Sequence, residues 1–288
     1  MAKSRFKHQP DLFIADASFV RTKELQPLMA TNWFSLNKNP RNTPIIHEYQ
    51  NYNIKVENPT GKGIATIWDH DVLIFLISQI VSAHNQGDHT SNRIQFTGYE
   101  FFQFLRRDWR GGITGQRSYK LLWEALDRLH TTHIQTNVKP HGDIEEAQAN
   151  FYWLPHIEKL KKRSGDEVGY EVWLDPKLHE WTQNTKNILT LSGDYFDLTS
   201  GLARFVYLWA RKSVGKLNYN KTWSESFKSL SEKSGSTLKP AQFNQLLRRI
   251  IKNNNLPEYI LSEEISKRGA LLGVRLRTFE ELPPITLK

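Results

Sequence analysis

Between residues 237 and 252 the polar side chains fall at spacings that suit contact with base pairs and phosphates. In TLKPAQFNQLLRRIIKN, Phe243, Leu246, Leu247 and Ile250 share one face at helical period, while Lys239, Gln242, Gln245, Arg249 and Lys252 share another. A glutamine amide can pair two-pronged with adenine and an arginine fork with guanine, whereas lysines suit phosphates. A helix lying in a major groove uses its N-terminal and central outward positions. Here these are Thr237, Lys239, Gln242, Gln245, Arg248 and Arg249, with Lys252 further along for phosphate. Ser234 and Ser236, flanking Gly235, could donate to a nucleic-acid backbone at the preceding turn. Lys267 and Arg268 stand at the tip of a following hairpin, placed for an adjacent groove or phosphates. A merely solvated helix face is the competing reading for each residue taken singly. For the set it is weaker, because only Glu258, Glu263 and Glu264 oppose the cations between 234 and 277.

A second constellation is less one-sided. Gln116, Arg117 and Lys120 open an earlier amphipathic helix, but Glu124 and Asp127 lie on the same helix. The expectation is that one unit reads bases while the other serves mainly phosphates or a partner.

The elements that must position these residues repeat along the chain. After an arm at residues 1–32, a strand is expected within NYNIKVENP (51–59), ended by Pro59. A helix from Asp69 or Asp71, either of which can cap it, runs to about Asn85 and stops near Gly87. RIQF (93–96) is a short strand, and Thr97 caps a helix GYEFFQFLRRD. A glycine-rich turn, WRGGITGQ, leads to the helix RSYKLLWEALDRLH. THIQTNV and FYWLPHIEKL are strands around the polar loop 139–150, and GYEVWLD (169–174) is another. From residue 187 the order begins again. A helix over SGLARFVYLWARKSVG is capped by Thr199 or Ser200 and closed by Gly215. A helix and turn in WSESFKSLSEKSGS follow, then the helix with Pro240 in its first turn, where proline is tolerated. PEYILSEEI and ALLGVRLRTF form the closing hairpin. Each half thus reads helix, helix-turn-helix, hairpin. The fold class expected is α+β, two tandem winged-helix domains at 33–184 and 185–288; an unrelated α+β fold is the alternative.

Charge follows the same division. The net charge is +9, and residues 185–288 hold 17 lysines and arginines against nine acids, while residues 1–184 hold 22 against 21. A C-terminal half this basic suits a polyanion, because bound cations release phosphate counterions. There is no cysteine, which excludes disulfides, zinc ribbons, thiol catalysis and iron–sulfur ligation, and suits a reducing cytoplasm. The most apolar run, VLIFLISQIV (72–81), is too short to span a bilayer and reads as a buried core helix, so no membrane partner is expected. MAKSRFKHQPDLF lacks the apolar run of a secretory signal.

Enzymatic constellations do not assemble. NPTGKG has Glu57 and Gly63 where a phosphate-binding loop needs glycine and a hydroxyl residue, so it reads as a turn. His130 and His133 straddle a helix-to-strand change, and the carboxylates of DHD (69–71) are explained by capping; no metal or other cofactor is expected. DNA-nicking initiators need a metal-binding His-x-His pair beside a tyrosine nucleophile. No such pair occurs, and Tyr195 and Tyr207 are better read as packing residues.

Certain stretches carry a family likeness. FSLNKNP (34–40), IWDHDVLIFLISQ (67–79), YKLLWEALDRLHTTHIQTN (119–137), LTLSGDYFDL (189–198), LARFVYLWARKSVG (202–215), SLSEKSGS and FNQLLRRI resemble the plasmid replication initiator protein A family, in order, over roughly residues 33–277. The resemblance implies a non-enzymatic protein that binds repeated double-stranded sites at a plasmid origin. It would help melt the origin and recruit host replication proteins, namely the host initiator and the replicative helicase. It also implies tandem winged helices, with the N-terminal one as a homodimer interface in a monomer–dimer switch. A transcriptional repressor with the same two units is the alternative function, and a nicking enzyme the least favoured.

Overall fold

The computed structural model describes residues 12–14, 20–49, 52–105, 115–138, 148–165, 167–214, 222–267, 269–278 and 281. The glycine-rich turn up to Thr114, most of the polar loop 139–150, Gly215 and Arg268 lie outside them, as do residues 1–11 of the expected arm.

The elements begin with β1 (Leu12–Ile14), β2 (Lys23–Leu25), β3 (Ile45–Tyr49), β4 (Tyr52–Glu57), α1 (His70–Asn85), β5 (Arg93–Phe96), α2 (Gly98–Phe104) and α3 (Gln116–Thr131). β6 (His133–Thr136), β7 (Ala149–Tyr152), β8 (His156–Lys161), β9 (Glu167–Trp173) and α4 (Pro176–Thr182) follow. Then come β10 (Ile188–Thr190), α5 (Gly201–Val214), β11 (Trp223–Ser226), α6 (Phe227–Lys233), α7 (Pro240–Asn253), β12 (Tyr259–Ser266) and β13 (Gly269–Leu276). The fold is mixed α/β, with several sheets packed among the helices.

One plan occurs twice. α1, β5, α2, α3, β8 and β9 run in the same order as α5, β11, α6, α7, β12 and β13. In both, the first strand pairs antiparallel with the last, giving the orders β5-β9-β8 and β11-β13-β12. β1 adds a parallel edge to the first of these sheets.

The local signals explain the helices. Thr97 accepts from the Glu100 amide while the Glu100 carboxylate accepts from the Thr97 amide, a reciprocal cap that starts α2. Ser200 caps α5 by accepting from the Ala203 amide. In α1, 13 of 16 residues are buried, so this helix forms the middle of the core rather than one face of it. Its two polar interruptions have separate fates. Ser78 donates to the Ile74 carbonyl and accepts from the Lys23 amide at 2.7 Å, which ties β2 to the helix, and Gln79 is buried nearby.

Three expectations need correction. Asp69 stands at the N-cap of α1 but makes no cap bond; its carboxylate takes the Thr66 amide and the Arg128 fork instead, and Asp71 takes Arg204. The returning strand FYWLPHIEKL is two strands in two sheets. β7 pairs with β6 in the order β3-β4-β6-β7, Trp153 and Leu154 turn into the core, and β8 starts afresh at His156 against β9. Pro155 separates them because it lacks the amide that would continue a ladder. The segment read as an arm is partly core: Leu25, Leu28 and Met29 are buried, and β2 pairs with β10 across the chain.

Candidate nucleic-acid interface

α7 is held by its apolar face. Phe243, Leu247 and Ile250 are buried and Leu246 half-buried, so the four residues of one sequence face pack together as expected. Asn254 ends the helix in the left-handed region, at φ 44°; its side chain accepts from the Leu261 amide and its carbonyl from Arg277. Those bonds fix the hairpin β12–β13 against the end of the helix.

The turn before α7 is fixed from outside its own unit. The Asn32 side chain donates to the Ser234 carbonyl at 2.9 Å, and the Asn32 amide to the Lys233 carbonyl at 2.9 Å. Gly235 has φ +60°, and a Cβ there would lie 2.9 Å from the Ile45 side chain, so both backbone and space require glycine. Next to it, His47 is buried with Nε2 2.9 Å from the Asn32 carbonyl. Burial holds the His47 imidazole below the ordinary histidine range.

The outward residues of α7 divide by availability. Thr237, Lys239, Gln242, Gln245, Arg249 and Lys252 are exposed. Arg248 is exposed but occupied: its fork meets Glu263 of β12 at 2.9–3.1 Å and its guanidinium lies over the Phe227 ring. That pair raises the Arg248 pKa through its hydrogen bond to Glu263. Ser234 is a correction. It is fully buried, donates to the Ser231 carbonyl and accepts from the Ser236 amide, so it shapes the turn and is closed to a phosphate. Ser236 is half-buried, accepting from the Leu238 amide.

At the hairpin tip, Lys267 is exposed and the Ser266 hydroxyl donates to the Gly269 carbonyl. Ile265 beside it is 90 % exposed, a residue the sequence reading passed over. It continues the alternation of Leu261 and Glu263 on the helix side of the hairpin, beyond the end of the core.

α3 of the first half presents a mixed surface. Gln116, Arg117 and Lys120 are exposed, with Lys120 3.9 Å from Glu124. Asp127 takes both bonds of Lys62, Arg128 is bound to Asp69, and Leu121 is half-exposed. The Lys62 of NPTGKG is therefore engaged in an ion pair at a turn.

The other titratable clusters are largely paired within the fold, although His70 Nδ1 and the Tyr195 hydroxyl are buried without a hydrogen-bond partner among the described residues. Each residue of DHD has its own partner: Asp69 with Arg128, His70 with Glu24 at 2.6 Å, and Asp71 with Arg204. His130 faces the Leu154 carbonyl, whereas His133 lies against Tyr152 and Glu57. His156, Glu158 and Glu171 converge, but the Glu171 carboxylate already accepts from Arg93, Gln95 and Trp173. Tyr195 and Tyr207 are fully buried, and burial raises both phenol pKa values. No helix among the described residues is long and apolar enough to cross a membrane.

Against known proteins, the fold is similar to that of domains 2 and 3 of RctB. One crystal structure of those domains matches with a TM-score of 0.61 at 14% identity, covering 88% of this chain and 99% of that one. A second matches with a TM-score of 0.54, also at 14% identity, over 86% and 96%. A protein of Wigglesworthia glossinidia brevipalpis, which carries the provisional description of a replication protein, is 35% identical over 225 residues, 77% of this chain and 78% of its own length. Residues 23–261 match the family described as Replication initiator protein A. The chain belongs to the replication initiator protein A family.

Proposed function

We propose that this initiator binds double-stranded DNA sequence-specifically at repeated sites of a plasmid origin, using α7 as the groove-reading helix. The observation that carries this reading is the exposed row of Lys239, Gln242, Gln245, Arg249 and Lys252, which no carboxylate among the described residues pairs with. In this reading both repeated units are winged helices, 33–184 and 185–288, with β8–β9 and β12–β13 as the wings. The C-terminal unit reads bases through Gln242, Gln245 and Arg249. Thr237, Ser236, Lys239, Lys252, Lys267 and Arg268 contact backbone. Arg248 reaches DNA only after leaving Glu263.

The N-terminal unit has the larger share of partner contacts. Its α3 surface mixes Arg117 and Lys120 with Glu124 and half-exposed Leu121, which suits a protein, such as a second copy of the chain, as well as phosphates. Origin melting and recruitment of the host initiator and replicative helicase follow DNA binding, in the cytoplasm and without catalysis by the chain. The ion pairs of Asp69 and Asp71 and the full burial of Tyr195 and Tyr207 support that last point. A nuclease footprint over the origin tests the reading: protection of directly repeated sites is expected. Protection confined to one promoter palindrome would instead favour a repressor, and metal-dependent cleavage of supercoiled DNA would favour a nicking enzyme.

A further inference from the structure

Arg41 precedes β3, in the N-terminal half, yet its side chain sits against the turn that leads into α7. A cavity of about 130 Å³ there is lined by Asn37, Arg41, Ser200, Ser236, Thr237 and Leu238, with apolar residues behind them and no carboxylate. Arg41 is half-buried, its Nε is enclosed without an acceptor, and its only hydrogen bond among those described is one that its backbone carbonyl accepts from the Ile64 amide. Burial depresses its pKa, with no anion among the described residues acting to raise it. An enclosed guanidinium N–H without an acceptor is costly, and the natural offset is an anion supplied from outside.

The neighbourhood limits which anion. A larger cleft on the other side of the turn shares Arg41, Ser236 and Thr237 but includes Glu48 and Glu232, which disfavour an anion there. The smaller cavity opens beside exposed Thr237 and Leu238, immediately before exposed Lys239 and Gln242 of α7. DNA lying along α7 brings its backbone past that opening.

We propose that this cavity receives one backbone phosphate of the DNA held by α7, with the Arg41 guanidinium as its cation and the Ser236 and Thr237 hydroxyls as further donors. The site rests on the DNA-binding reading above. It adds a residue of the N-terminal half to the C-terminal interface, and it fixes the register of α7 rather than the choice of base.

The test compares the wild-type chain with Arg41→Gln and Arg41→Lys in a salt titration against a random-sequence duplex. Arg41→Gln should lower the slope of log affinity on log salt by about one, so that its affinity loss between about 50 and about 200 mM salt is about 3-fold smaller. Arg41→Lys should keep most of the slope. Arg41→Gln should melt no lower than wild type, since the side chain makes no hydrogen bond or ion pair among the described residues. An unchanged slope in Arg41→Gln overturns the site while leaving DNA binding by α7 intact. A wild-type chain that binds no duplex overturns both. Independently of any variant, the Nε–Hε resonance of Arg41 in the wild-type chain should shift on adding duplex. No shift, or a shift with inorganic phosphate but none with duplex, overturns the assignment to DNA.

Discussion

Arg204 of α5 and Asp71 of α1 meet at 2.7 Å with both side chains fully buried, although 133 residues separate them in the chain. The remaining donors of Arg204 are also used. Nε bonds the Leu198 carbonyl and Nη2 the Phe196 carbonyl, while the guanidinium lies over Trp68 and Tyr195. Burial opposes the charge, but Asp71 and Tyr195 together more than offset it, so the Arg204 pKa is raised. The first helices of the two repeated units are thereby pinned to each other, which sets where α7 sits relative to the N-terminal half.

Breaking that pair leaves one buried charge unpaired. Arg204→Ala or Asp71→Asn should each lower the unfolding free energy by about 3–5 kcal/mol. Urea unfolding checks this. A loss under about 1 kcal/mol, the range of ordinary substitutions, would mean that the pair is not what joins the halves.

On α7, Gln245→Ala and Arg249→Ala should each weaken binding to a specific site by about 1–3 kcal/mol and relax preference at one base position. Equal losses on specific and random duplexes would assign them to phosphate. Lys239→Ala should mainly flatten the salt dependence, which titration against any duplex measures.

The Arg248–Glu263 pair joins α7 to β12 and, in the proposed reading, withholds one cation from DNA. Glu263→Gln should therefore strengthen binding to random DNA and steepen its salt dependence. Unchanged affinity would show that Arg248 faces away from the bound backbone.

His47 gives a pH dependence with a definite sign. Burial depresses its pKa in the folded chain below the value of 6.5 that it takes when exposed. Below that value the unfolded chain binds the extra proton more readily, so stability is full above about pH 6.5 and declines as pH falls toward the folded pKa. His179 shifts in the same direction, by burial and by the charges of His89 and His84. Replacing His47 with Gln should remove part of the acid decline, seen as a smaller difference in unfolding midpoint between about pH 7.5 and pH 5.5. An identical decline would assign the acid sensitivity elsewhere.

Local order was legible where neighbouring residues set it. The spacing of Phe243, Leu247 and Ile250, the Thr97 cap and the apolar length of α1 each follow from positions within a few residues, and the structure has them as expected. The repeated order of helices was visible for the same reason, as was the basic character of the half that contains α7, but WSES, read as the start of a helix, is the strand β11. Contacts across long separations were not. Nothing in DHD distinguishes a helix cap from three separate ties to Arg128, Glu24 and Arg204, because each partner comes from a distant element. Pro155 marked a break, but only strand pairing shows that β7 and β8 belong to different sheets. Ser234 and Ser236 look alike in SGS, yet packing against Asn32 buries one and leaves the other at the cavity. Composition could supply the charge of Arg41; the enclosure of its Nε, without an acceptor among the described residues, beside the turn of the other half is a property of the folded chain alone.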